Sequence, residues 1–159
     1  MIVIGIDPGI ATTGYGVIKK EKDSFCCLDY GVIKTNKKDT TPSRLSVLDK
    51  NISSLIKKYS PNFLAVENLY FFKNVKSALP VSQAKGVILL NAEKSKINVC
   101  EFTPLEVKTT VTGYGKADKN QIQEMIRITL NLKEKPCPPD AADALGVALC
   151  GIIKKASPF

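Results

Sequence analysis

Met1-Ile2-Val3-Ile4-Gly5-Ile6-Asp7-Pro8-Gly9, followed shortly by Thr13-Gly14-Tyr15-Gly16, opens the chain. An apolar run bounded by glycine and proline reads as a buried strand. Asp7 stands where that strand leaves its sheet, and Gly9 admits a close backbone approach. A carboxylate at the rim of a buried sheet is costly unless paired, and a metal ion is a ready partner. Glu67 repeats the pattern at the end of Phe63-Leu64-Ala65-Val66, and Asp140-Ala141-Ala142-Asp143 sets two more acids among small apolar residues. Three separate segments thus carry carboxylate toward what reads as one hard-cation site. All-oxygen ligands suit Mg²⁺ or Mn²⁺ rather than zinc.

Working outward, the first strand spans roughly residues 2–7. Residues 13–20 and 25–34 are predicted as an antiparallel pair around Glu21-Lys22-Asp23-Ser24. Thr41-Pro42 reads as an N-cap with proline at the first helical position. Leu45, Leu48, Ile52, Leu55, Ile56 and Tyr59 then keep one apolar face at helical spacing. A fourth strand is predicted over 63–67, a second helix between Val75 and Ala92, and a fifth strand from Ile97 to Phe102. Thr103-Pro104-Leu105-Glu106 and Asp118-Lys119-Asn120-Gln121 are capping-box sequences, the second opening a helix to about Leu132. After Pro136, Pro138 and Pro139 a last helix runs from about Asp140 to Lys155. The pattern predicts an α/β fold: one domain, 1–159, with a mixed five-stranded sheet and helices on both faces.

Asp140 and Asp143 are three residues apart and share a face of the last helix's first turn. Alternatively, Asp140 caps that helix and Asp143 interacts with its dipole, each worth about 0.3–1 kcal/mol. Composition narrows the chemistry. The chain has no histidine, which removes imidazole acid–base catalysis and imidazole-ligated zinc. Its 5 cysteines fit no ligand spacing and imply free thiols in a reducing, cytoplasmic compartment. No apolar stretch approaches the roughly 20 residues that cross a bilayer. With 23 basic against 15 acidic side chains the net charge is +8, nearly all of it lysine. Such an excess attracts a polyanion, with lysine acting as a point charge toward phosphate. A merely solvated lysine surface is the alternative.

The motifs, taken together, resemble the RuvC family of bacterial Holliday-junction resolvases. Gly5-Ile6-Asp7-Pro8-Gly9 with Thr13-Gly14-Tyr15-Gly16 resembles its opening signature. Ala65-Val66-Glu67-Asn68 with Lys73-Asn74 and Ser77-Ala78-Leu79 resembles the second. Gln83-Ala84-Lys85-Gly86 matches the middle of its long helix, and Asp140-Ala141-Ala142-Asp143-Ala144-Leu145 its third signature. The likeness runs in order from Ile2 to about Ile152. One departure is Cys150-Gly151, where many relatives carry histidine. The resemblance implies an RNase H-like fold and a homodimeric, Mg²⁺-dependent endonuclease. Such enzymes nick two strands of a four-way junction symmetrically, commonly beside the RuvA–RuvB branch-migration motor. Asp7, Glu67, Asp140 and Asp143 would hold two ions about 3.5–4 Å apart, cleavage leaving a 5′-phosphate and a 3′-hydroxyl.

DNA contacts are expected from the same comparison. Tyr70 occupies the position of the family's base-stacking aromatic, within Tyr70-Phe71-Phe72-Lys73-Asn74 directly after Glu67. Stacking on an unpaired base is worth about 1–3 kcal/mol, whereas Phe71 and Phe72 could instead belong to the core. Lys108, Lys116 and Lys119, around Gly113-Tyr114-Gly115, match basic positions that contact phosphate, and Lys85 of the long-helix motif is expected to contact DNA as well. Two other readings stand beside this one. An actin- or sugar-kinase-like phosphate-binding domain also opens with strand, aspartate and glycine turn, but does not account for Asp140 and Asp143. A non-catalytic junction-binding scaffold would not need all four acids.

Overall fold

A computed structural model describes residues 1–22, 24–68 and 75–156. Five strands form one sheet in the order β3-β2-β1-β4-β5: β1 Ile2–Asp7, β2 Thr12–Glu21, β3 Ser24–Lys34, β4 Phe63–Glu67 and β5 Asn98–Phe102. β1 pairs antiparallel with β2 and parallel with β4; β2–β3 is antiparallel and β4–β5 parallel. This is the mixed sheet expected from the pattern. Asp23, in the predicted turn between β2 and β3, lies outside the described residues.

Alternation along β1 assigns its side chains to two cores. Ile4 and Ile6 join Leu64 and Val66 under α1 (Thr41–Tyr59) and α2 (Val75–Lys94). Val3, Ala65 and Phe102 face the other way, under α3 (Pro104–Thr112), α4 (Lys119–Thr129) and α5 (Pro139–Ala156). Asp7 and Glu67, at the C-terminal ends of two adjacent parallel strands, fall on the α5 face. The apolar spacing of α1 holds, with Leu48, Ile52 and Ile56 buried.

Three boundaries differ from expectation. α1 is preceded by Thr40 rather than capped by Thr41, and Thr40 makes no side-chain cap bond. The proline is therefore one position further in; its fixed φ suffices to start the helix. α4 stops at Thr129, not Leu132, because Leu130 turns inward as the buried end of the helix and Asn131 takes a positive φ of 51°. α5 begins at Pro139, so Asp140 lies inside its first turn and is not the cap. The two capping boxes form as predicted: Glu106 N donates to Thr103 Oγ1 at 3.2 Å, and Gln121 N donates to Asp118 Oδ1 at 2.8 Å.

Candidate active site

Glycine brings the third signature to the first. Gly5 pairs with Gly16 and Asp7 with Gly14 across β1 and β2, so these positions form one bare patch on the sheet. A Cβ at Gly5 would stand 2.2 Å from the Ala144 carbonyl oxygen. At Gly14 it would stand 2.0 Å from that of Asp140, and at Gly16 2.7 Å from a Leu145 methyl. With no side chains in the way, α5 lies directly on the backbone of β1 and β2. Ala141, Ala142, Ala144 and Ala148 are fully buried in that contact. The start of α5 therefore sits beside Asp7. Beyond Asp7, Thr13 is 1% exposed, and its hydroxyl donates to the Gly9 carbonyl at 2.5 Å, tying down the loop after the strand.

The electrostatics follow from that closeness. Protonated Asp7 donates to the Glu67 carboxylate. Burial, aided by the negative charges of Glu67, Asp143 and Asp140, pushes its pKa from 3.8 to about 8. Burial likewise raises Glu67, although the bond from Asp7 and the charges of Lys119 and Lys108 pull it back. On the outer side Lys119 Nζ donates to Asp143 Oδ2 at 2.9 Å. Glu67, Lys108, Lys119 and Asp143 line a cleft of about 230 Å³ with Pro104, Val107 and Ile122. As the side chains stand, no three acids among the described residues close on a single point. The donor chemistry still fits a hard divalent cation. Every ligand offered is carboxylate oxygen, and a half-buried aspartate whose pKa is pushed up among other acids lacks a counter-charge.

The structure brings Asp7, Glu67, Asp140 and Asp143 to one end of the sheet, as the sequence pattern predicts, with Lys108 and Lys119 at the mouth. Lys116 is exposed on the loop before α4 and does not line the cleft. Lys85 is placed elsewhere. Its ammonium contacts Glu101 Oε2 at 2.7 Å and Asn68 Oδ1 at 3.2 Å, and its side chain is 19% exposed. Glu101 pairs with Val66, so this contact belongs to the α1–α2 face, away from Glu67. Tyr70, Phe71, Phe72, Lys73 and Asn74 lie outside the described residues. Sequence reasoning missed the Lys119–Asp143 pair and the bond from Lys85 to Asn68. Neither partner lies near the other in the chain, so no local spacing signals them.

The chain is similar to known proteins along nearly its whole length. A family model described as "Crossover junction endodeoxyribonuclease RuvC" matches residues 3–151. A protein of that description from Petrotoga mobilis is 50% identical over 150 residues, 94% of this chain and 92% of the relative. Another, from Fusobacterium nucleatum, is 48% identical over 152 residues, 96% of this chain and 80% of the relative. Among solved structures, Thermus thermophilus RuvC in complex with a Holliday junction substrate superposes with a TM-score of 0.92. It is 31% identical, with 100% of this chain and 99% of that one covered.

Proposed function

The chain belongs to the RuvC family of crossover junction endodeoxyribonucleases, and from that premise we propose how it resolves Holliday junctions: Asp7, Glu67, Asp140 and Asp143 hold Mg²⁺ at the scissile phosphate. The observation that carries this reading is geometric: the half-buried Asp7 carboxyl stands beside Glu67, and Gly14, its partner across the strands, holds the first turn of α5 with Asp140 and Asp143 against it. Such a cluster is unfavourable as built and is relieved by a divalent cation. Bound Mg²⁺, with Mn²⁺ as a substitute, would supply activated water and neutralise the leaving oxygen, consistent with 5′-phosphate and 3′-hydroxyl ends.

The chain's own residues do the rest. Asp7, on the central strand between the Glu67 and α5 carboxylates, would hold the ion as a carboxylate, its proton being given up to solvent. Gly5, Gly14 and Gly16 hold α5 at the distance that presents Asp140 and Asp143. Lys108 and Lys119 at the cleft mouth, and Lys116 on the adjoining loop, attract the phosphate backbone. Tyr70 and Phe71 after Glu67 are proposed to stack on bases opened at the crossover, with Lys73 and Asn74 contacting the same strand; this rests on the sequence resemblance. Lys85 is better placed to steady Asn68, and so the end of β4, than to meet DNA.

Symmetric nicking requires two active sites, and a homodimer is the proposed assembly. Leu79 and Leu90 are 67% and 50% exposed on α2, and Gly86 between them has open space around it. At spacings of seven and four these three share one outward face, which supports α2 as the contact surface. A RuvA–RuvB motor is the partner that the resemblance implies. No helix among the described residues is long and apolar enough to cross a membrane, and a cytoplasmic location accords with work on DNA.

A synthetic four-way junction tests the central claim. Cleavage should require Mg²⁺ or Mn²⁺, should be absent in Asp7→Asn, and should yield ends that DNA ligase reseals directly. Cleavage by Asp7→Asn above roughly one hundredth of the wild-type rate would remove Asp7 from the metal site.

A further inference from the structure

Lys119 is the first residue of α4, and the reciprocal bonds between Asp118 and Gln121 fix the backbone there. From that anchored start its side chain crosses to α5 and donates to Asp143 Oδ2 at 2.9 Å. Glu67 and Lys108 line the same cleft, so this ammonium stands between carboxylates delivered by β4 and by α5. It is not locked in. The Lys119 side chain is 57% exposed and that of Asp143 36%, which makes theirs an exposed pair that exchanges readily. A divalent ion would draw on the same carboxylate at roughly 2.0–2.1 Å, and two cations crowded on one carboxylate repel each other.

We propose that Lys119 is a resident counter-cation: it competes with the divalent ion for Asp143, and DNA phosphate takes up the ammonium when that ion enters. The proposal rests on the metal-site reading above. Lysine suits the task because its charge is a compact point on a flexible four-carbon stem, free to swing between a carboxylate and a phosphate. The consequence is coupling. Phosphate that engages Lys119 frees Asp143 for metal, and metal that takes Asp143 frees Lys119 for phosphate, by the same factor in both directions. Without DNA the site is held weakly loaded.

Binding of Mn²⁺ to the DNA-free protein, followed by loss of the free-ion electron paramagnetic resonance signal, tests this without any cleavage. Lys119→Gln should bind Mn²⁺ more tightly than wild type by a factor of about two to five, the worth of an exposed ion pair. Lys119→Arg keeps the cation and should bind as wild type does. Plain duplex DNA, after subtraction of the ion bound by DNA alone, should tighten wild-type binding and leave Lys119→Gln nearly unchanged. Circular dichroism checks that each variant is folded. Equal or weaker Mn²⁺ binding by Lys119→Gln overturns the proposal. Asp7→Asn separates the two readings. If it loses the ion while Lys119→Gln matches wild type, only the counter-cation role fails. If it binds Mn²⁺ as wild type does, the metal site fails and the proposal with it.

Discussion

Gly14 lies so close beneath Asp140 that a single methyl group there would stand 2.0 Å from the Asp140 carbonyl oxygen and 2.5 Å from its carbon. Both atoms are backbone, so relief requires moving the start of α5 rather than turning a side chain. Because Gly14 pairs with Asp7, the displaced turn is the one that brings Asp140 and Asp143 to the site. Gly14→Ala should destabilise the fold by about 1–3 kcal/mol, the usual cost of overpacking. It should also suppress cleavage more than that destabilisation explains. Denaturant unfolding and junction cleavage on the same preparation check both; a variant of normal stability and activity would show that α5 does not set the site.

The metal-free protein should weaken as pH rises. Asp7 titrates near 3.8 when unfolded and near 8 when folded. Between those values the folded state holds a proton that the unfolded state has lost, so folding is favoured at the acid end and the advantage falls away toward pH 8. Glu67 shifts in the same direction. With EDTA present, wild-type stability should fall between about pH 5 and 8 by an amount on the order of a few kcal/mol. Asp7→Asn cannot titrate and should show a much flatter profile. Mg²⁺ should restore wild-type stability most at the alkaline end. A wild-type profile that rises over this range would contradict the buried-acid account.

Much of this was legible in the chain. Asp7 and Glu67 announce themselves because each ends an apolar run, and the mixed sheet follows from a hairpin and two strand–helix crossovers, whereas the place of β4 beside β1 shows only in the fold. Asp140 was legible as a site acid but not in its local role. Pro139 can itself occupy the first helical turn, which moves the helix start upstream and sets Asp140 inside that turn. Lys85 shows the limit of pattern reading, since its partner Glu101 lies on a strand that reaches α2 only through the parallel β4–β5 pairing. The Lys119–Asp143 pair is long-range in the same way, joining two helices that the capping boxes and the glycine patch position independently.

Lys108 and Lys116 separate phosphate attraction from the cleft itself. Lys108 lines the cleft with Glu67, whereas Lys116 stands exposed on the neighbouring loop. Replacing either with alanine should weaken binding to junction and plain duplex alike. For each lysine that neutralises a phosphate, its removal should lower the slope of log affinity against log salt by about one. Titrations across a range of salt concentrations measure this directly, and an unchanged slope would mean that the lysine in question does not face DNA.

Gly86 tests the proposed assembly. It sits on the exposed side of α2 with nothing within 4 Å of where a Cβ would be. Within a single protomer a larger residue therefore meets no obstacle. Leaving glycine there costs helix stability of roughly 0.5–1 kcal/mol relative to alanine. Gly86→Glu should accordingly leave the protomer at least as stable toward denaturant as wild type. In a dimer built on the face of Leu79 and Leu90, the same change sets a charged side chain into an apolar interface and should dissociate it. Sedimentation analysis at several concentrations should find wild type dimeric and Gly86→Glu monomeric, with paired junction cleavage reduced to slow single nicks. A variant that remains dimeric would place the interface on another surface, because an outward glycine on α2 is free to vary unless a second chain covers it.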